Sequence, residues 1–498
     1  MFKQGKSRMA MYRFLASVLI ALAAFTAAAS AENPEPRVNL NPSSLSFLCR
    51  KGNNCRETTR LSNLGPTTLT ISSITITGQY FSETNNCPPT LAVNQSCTIT
   101  VNYHALGSSH GAVSVSDNGI GSPQQVTLSG RVKTGMNSGA LSALGTTQTA
   151  AVPSPTGPDN VGTRVVDMVD PVRDDPSLGD ASGRELLVRF WYPASLNQGC
   201  EPAPYTSPRV WSYFSQLAGI PLPEVRTNSC LDAPISGGSH PVVVFTPGYT
   251  GTFTDYTYLF EDLASRGYVV AAVDHTYEAT AVEFPDGRLV KSVLGSHLDK
   301  TWRLDEQSLS LAVSVRLNDL KFIVDELARL NGEPGGPFAG SLDLNKIAVA
   351  GHSLGGLTAL LSVKQEARFK AALLLDASLL DESAIVTETP ALVLAMGRTQ
   401  WSDEECHLWD NLRGPRFAVN LKGAEHVTPS DAVWLAKGAI KTGTMGPEKT
   451  IAAVRDYIAA FLDANLQGQA LSPSLDGRFS DYPDAVVTTQ KQSLCDER

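Results

Sequence analysis

Metal-ligand spacings are missing from this chain. Its eight cysteines and eight histidines include no Cys-x-x-Cys and no His-x-x-x-His, the spacings that bring two zinc ligands together, so metal catalysis is not expected. Positive charge is also in short supply: 40 Lys and Arg stand against 49 Asp and Glu, a formal net charge of −9. A surface of that sign repels phosphate backbones and anionic membranes, which argues against nucleic acid as a partner. Long apolar runs are absent after residue 28. The one that exists, Phe14 to Ala28, follows Lys3, Lys6, Arg8 and Arg13 and precedes Ala29-Ser30-Ala31. It is short for a membrane span and reads as a secretory signal over residues 1–31, with small residues for cleavage. Losing it would leave the chain four charges more negative, and no cysteine stands at the cleavage point to carry a lipid.

What is present is the composition of a soluble protein with a sizeable core and a length that allows two or three domains. The cysteine count is even, and behind a signal peptide this implies an oxidising compartment, secreted or periplasmic, with disulfides. Neighbours along the chain pair as Cys49 with Cys55, Cys87 with Cys97, Cys200 with Cys230 and Cys406 with Cys495, although spacing alone does not fix the connectivity.

Residues 36–132 read as short strands between turns, among them Ser44-Leu45-Ser46-Phe47, Ser73-Ile74-Thr75-Ile76, Cys97-Thr98-Ile99-Thr100-Val101 and Gln125-Val126-Thr127-Leu128. About a hundred residues of this kind indicate a β-sandwich. Residues 133–160 are rich in Gly, Ser, Thr, Ala and Pro and read as a linker. Strands then alternate with helical patterns over residues 161–466, as a mostly parallel sheet flanked by helices requires. Leu309, Val313, Leu317, Leu320 and Val324 recur at helical spacing, giving a core-facing helix over 304–330, with a lid over the pocket as the alternative. The tail, 467–498, is polar, and Cys495 is the one residue expected to tie it down.

Within that α/β region Gly351-His352-Ser353-Leu354-Gly355 follows the apolar run Lys346-Ile347-Ala348-Val349-Ala350 and precedes a helical pattern. A serine at such a strand-turn-helix apex projects its Oγ clear of the sheet. The Leu354 N–H, at the helix start, can then help hold an oxyanion. Asp376 ends the short buried-strand pattern Ala371-Ala372-Leu373-Leu374-Leu375, and a carboxylate there faces the crevice where α/β enzymes place their chemistry. His426 follows the strand-like Arg416 to Leu421. It can accept the Ser353 proton while Asp376 holds its tautomer. Asp403, Glu404 and Glu405, after the strand Ala391 to Met396, compete for the acid role. His104, His110, His240, His275, His297, His352 and His407 are the other histidines, with His352 expected to pack inside the elbow.

These residues resemble the plasma and type II platelet-activating-factor acetylhydrolases and their microbial relatives. The resemblance runs over roughly residues 160 to 465. It is carried by Pro241-Val242-Val243-Val244-Phe245-Thr246-Pro247-Gly248-Tyr249, by Leu263 to His275, by Gly351 to Gly356 and by Leu186 to Pro193. It implies an α/β-hydrolase fold, with Ser353, Asp376 and His426 as the catalytic set and no cofactor. The second oxyanion donor falls on the Tyr249 N–H. It also implies short-chain acyl esters as substrates, a small-molecule or lipid ester of the phospholipid type. Thr246-Pro247-Gly248-Tyr249 replaces the Ser-His-Gly-Leu of the animal members, and Phe284-Pro285-Asp286-Gly287 is closer to the microbial ones. Polyester hydrolases of the cutinase type share a Pro-Gly-Tyr/Phe turn, which keeps a cutinase-like or lipase reading open. Asn63-Leu64-Gly65, the run from Cys87 to Ile99, and Val126 to Gly130 resemble Hydin-type immunoglobulin-like modules, which implies an accessory domain for an unidentified surface, protein or polymer. A non-catalytic protein working through that module is the reading from a different class.

Overall fold

A computed structural model describes residues 36–495 apart from 42–43, 51, 108, 120–121, 134–148, 175–182, 197–198, 219, 294–304, 380–384, 438–439 and 479–480. The expected signal segment lies outside the described residues, as does His297. The chain divides into two compact units, Met1–Thr146 and Thr147–Arg498.

In the first unit, strands Val38–Asn41, Asn54–Asn63, Ser96–His104 and Phe81–Asn85 form one sheet, while Ser44–Arg50, Gln124–Lys133, Ser109–Asp117, Leu69–Ile76 and Thr90–Leu91 form the other. Alternate residues along the strands, such as Ile99, Val101 and Tyr103, are buried in one shared core with Phe47, Leu61, Val113, Val115 and Val126. That period of two is what packs one face of each sheet against the other. Cys49–Cys55 and Cys87–Cys97 are disulfides.

In the second unit, nine strands set the frame: β1 (Asn160–Asp170), β2 (Arg184–Ala194), β3 (His240–Thr246), β4 (Val269–Asp274), β5 (Leu342–His352), β6 (Phe369–Leu375), β7 (Ala391–Met396), β8 (Arg416–Leu421) and β9 (Ala485–Thr489). They lie in the order β1-β2-β4-β3-β5-β6-β7-β8-β9. Neighbours from β4 to β8 pair in parallel, β2 is antiparallel to both β1 and β4, and β9 is antiparallel to β8. Near-continuous apolar runs are what a sheet covered on both faces demands. Val243 and Phe245 face one core while Val242 and Val244 face the other. Helices α1 (Thr257–Ser265) and α5 (Pro447–Leu466) cover the first face. Helices α2 (Glu306–Gly332), α3 (Leu354–Gln365) and α4 (Asp403–Asn411) supply side chains to the second. Cys200–Cys230 and Cys406–Cys495 complete the disulfides.

Two stretches differ from expectation. Residues 150–160 fall within the expected linker, yet Ala150–Ala151 pair in parallel with Val225–Arg226, Val152 is buried, and Asn160 opens β1. Small residues suit a solvated linker and a tight edge strand equally well. The tail is held by more than Cys495, because β9 pairs with β8 along five residues and extends the sheet.

Candidate active site

The crevice at the carboxyl ends of the parallel strands gathers the expected residues. Gly351 and His352 end β5, α3 begins at Leu354, and Ser353 between them takes φ 55° and ψ −119°. A non-glycine residue is rarely held with positive φ, and the surrounding packing fixes it here. A Cβ on Gly351 would lie 2.2 Å from the Gly355 carbonyl oxygen and one on Gly355 would lie 2.0 Å from that of Thr246. Only glycine permits the strand and helix to approach this closely.

His426, on the loop after β8, approaches both partners at once. Its Nε2 is 3.0 Å from Ser353 Oγ, and its Nδ1 is 2.5 Å from Asp376 Oδ2. A carboxylate only accepts, so Nδ1 carries the proton and Nε2 offers its lone pair to the Ser353 hydroxyl. The other carboxylate oxygen, Asp376 Oδ1, accepts from the Met396 N–H at 2.9 Å and pairs with Arg398 Nη1 at 2.9 Å. Burial by itself would push the Asp376 carboxyl up. The His426 hydrogen bond, the Arg398 guanidinium and the Met396 N–H together hold it below the usual carboxylate range. The competing acids lie elsewhere: Glu405 pairs with Arg398 and caps α4 with Ser402, and Asp403 and Glu404 sit in the first turn of α4. Of the other histidines, His275 is buried between Asp319 and Thr246, and His240 bonds Gly267 and Ser236.

Gly248 of the Thr246-Pro247-Gly248-Tyr249 turn lies beside the nucleophile, since a Cβ built on it would be 3.6 Å from Ser353 Cβ. Tyr249 packs against the small buried cluster formed by Ala312 of α2 and Leu354 and Leu357 of α3. Leu354 is the first residue of α3, so its N–H has no partner within the helix. His352 joins turn and base: its Nε2 meets the His426 carbonyl at 2.7 Å and its Nδ1 meets the Tyr256 hydroxyl at 2.9 Å, while that hydroxyl accepts the Gly248 N–H at 3.1 Å. The carbonyl requires Nε2–H, which leaves Nδ1 to accept from Tyr256. Burial, and then nearby His426, push the His352 imidazole down to about 4, so it is neutral at neutral pH.

Several residues near the site carry no sequence motif. Arg398 follows β7 and reaches back to Asp376, and Ser378 Oγ lies 3.2 Å from Ser353 Oγ. Tyr256 enters through a 3-10 turn. One signal was present: Arg316 lies between Ala312 and Leu320 in the buried stripe of α2, a charge at a core position.

Comparison with known proteins agrees with the architecture. Residues 145–286 and 336–470, more than half of the chain, match the family described as platelet-activating factor acetylhydrolase, isoform II. The chain is 25% identical over 251 residues to the platelet-activating factor acetylhydrolase of Canis lupus familiaris, covering 42% of this chain and 54% of that one. It is 25% identical over 202 residues to cutinase est2 of Thermobifida alba, covering 40% and 56%. The chain thus spans about half the length of these curated relatives. A solved ferulic acid esterase from Streptomyces cinnamoneus shares 34% identity at a TM-score of 0.58, covering 68% of this chain and 99% of the esterase. With an α/β-hydrolase sheet, esterase neighbours and a family match over most of the second unit, this chain belongs to the platelet-activating factor acetylhydrolase, isoform II family of hydrolases.

Proposed function

We propose that the protein is a secreted serine carboxylic-ester hydrolase that works through an acyl-enzyme. The observation that carries this reading is His426 lying between Ser353 Oγ and Asp376 Oδ2. Ser353 Oγ attacks the ester carbonyl carbon as His426 Nε2 takes its proton. The tetrahedral oxyanion is held by the Leu354 and Tyr249 N–H groups. Collapse expels the alcohol, which takes the proton back from His426. Water activated by the same nitrogen then attacks the acyl-Ser353 carbonyl, and breakdown of this second tetrahedral intermediate regenerates the serine. Throughout, Asp376 holds the tautomer and stabilises the transient imidazolium.

Short acyl groups fit the site best in this reading, because the Tyr249 ring occupies space beside the oxyanion turn and is backed by α2 and α3. A phospholipid-type ester is one such substrate. A second reading takes aromatic or polymeric esters, and it is favoured by the 34% identity to the ferulic acid esterase over nearly that enzyme's whole length. The two-sheet unit serves as an immunoglobulin-like accessory module that holds the enzyme near its substrate. The four disulfides suit an oxidising, extracellular setting.

A screen of kcat/KM over acetyl, butyryl, octanoyl, palmitoyl and feruloyl esters tests the substrate class. Acetyl to butyryl esters should lead, since each methylene without room forfeits up to about 1 kcal/mol of burial. A feruloyl maximum would transfer the assignment to the second reading, and a palmitoyl maximum would contradict both.

A further inference from the structure

The turn beside Ser353 rests on a buried charge. Arg316 of α2 is 1% exposed at its side chain, and each of its five N–H groups has a partner. Nε donates to Glu278 Oε2 at 2.9 Å and one Nη2 hydrogen to Glu278 Oε1. Nη1 donates to Thr246 Oγ1 at 3.0 Å and to the Pro247 carbonyl at 2.6 Å, and Nη2 donates to the Gly248 carbonyl at 3.0 Å. Thr246 is itself oriented, its hydroxyl donating to His275 Nε2 at 2.9 Å while His275 Nδ1 donates to Asp319 at 2.8 Å.

Stability alone gives little reason for this arrangement, because well-packed apolar residues can often replace a buried ion pair without loss. The geometry of the peptide unit gives a better one. The Gly248 carbonyl and the Tyr249 N–H belong to the same trans peptide and point in opposite directions. Fixing the carbonyl on the guanidinium therefore fixes the N–H facing away from α2. The Gly251 N–H, 2.9 Å from the same carbonyl oxygen, locks the plane further. A peptide whose oxygen is bonded to a cation is also more polarised, which makes its N–H a stronger donor.

We propose that Arg316 is a positioning residue for the oxyanion hole: by holding the Pro247 and Gly248 carbonyls it aims and polarises the Tyr249 N–H. This rests on the reading of Tyr249 as an oxyanion donor. A lysine can serve only part of the set, because it is a point charge and lacks the planar fork that reaches several acceptors at once.

The test compares the full-length enzyme with Arg316→Lys, Arg316→Gln and the charge-neutral pair Arg316→Gln with Glu278→Gln. The readouts are kcat and KM on an acetyl ester, and inhibition by a trifluoromethyl ketone whose serine adduct carries an oxyanion. The glutamine variants should lose about 10²-fold in kcat, comparable to removing one oxyanion donor, with KM within about threefold by the same transition-state-only logic. Ketone affinity should fall in parallel with kcat/KM. Arg316→Lys should lose about tenfold, and it decides the matter if the glutamine variants do not fold. A folded variant with wild-type kcat and ketone affinity would overturn the proposal, as would a kcat loss that leaves ketone affinity unchanged. Ser353→Ala on the same ester separates the two levels. Inactivity there with wild-type Arg316 variants removes only the role of Arg316, whereas retained activity there removes the serine-hydrolase reading itself.

Discussion

At the residue scale, the site turns on which carboxylate faces His426. Asp376 is nearly buried, with His426 on one oxygen and Arg398 and the Met396 N–H on the other, so its charge is fixed in place. Asp376→Asn should present the wrong tautomer of His426 to Ser353 and lower kcat by about 10⁴-fold. Asp403→Asn, Glu404→Gln and Glu405→Gln should each stay within about tenfold of wild type, since Asp376 holds His426 Nδ1 while Glu405 engages Arg398 and Ser402 and Asp403 and Glu404 open α4. Steady-state kinetics on one soluble ester distinguish the cases, and a severe loss confined to Glu405→Gln would reassign the acid. The positions of Ser353 and Asp376 directly after strands, and of His426 on the loop beyond one, were legible in the sequence because glycine spacing and apolar runs are local signals. The partners of Arg398, Tyr256 and Arg316 were not, because they lie 22, 96 and 68 to 70 positions away, as for Arg398 with Asp376, Tyr256 with His352 and Arg316 with the turn; for Arg316 the only local signal is a charge at a core position.

At the element scale, the loop after β8 is anchored by a buried acid. Asp431 accepts from the Tyr205 hydroxyl at 2.6 Å and the Tyr258 N–H at 3.1 Å, and its own N–H donates to the Asp255 carbonyl at 2.6 Å. Burial pushes its carboxyl up to about 7, with the hydrogen bonds opposing and the Asp255 charge adding to the shift. A raised carboxyl works against the fold as pH rises. Below the ordinary carboxylate range both folded and unfolded states hold the proton. Between there and about pH 7 the unfolded chain releases it first, so stability falls, by an amount of order 4 kcal/mol across the window. Asp431→Asn should flatten that slope between pH 4 and 7 in urea unfolding, and parallel profiles for the two proteins would rule it out. Element identity was largely readable. The strand Asn54–Asn63 is hard to read from sequence because Arg56, Glu57, Thr58 and Arg60 hide its alternation, and the apolar residues of α2 mark it as a helix although Arg316 and Asp319 also lie in its buried stripe.

At the scale of the whole molecule, the division at Thr146 predicts that catalysis survives without the first unit. A chain beginning at Thr147 should turn over small soluble esters at the wild-type rate. A chain beginning at Val161, nearer the boundary that composition suggests, should be markedly less stable. It would lose the Ala150–Ala151 strand, buried Val152, and the Pro153 and Ser154 carbonyls that Arg455 holds at 2.9 Å. Burial of one valine alone contributes roughly 1.5–3 kcal/mol. Thermal unfolding of the two truncations checks this, and equal midpoints would show that residues 150–160 are a linker after all. The misreading has a physical cause: Gly, Ser, Thr, Ala and Pro mark chains that avoid a core, but they also fit where a backbone must lie close against one.

The measurement that bears most directly on the central claim is covalent labelling of the full-length protein with a fluorophosphonate, followed by peptide mass analysis. A serine activated by His426 and Asp376 should form one adduct, on Ser353, and His426→Ala should slow its formation by several orders of magnitude, because the members act as a unit. A folded protein that stays unlabelled, or one labelled at another serine, would contradict the assignment of Ser353 as the nucleophile.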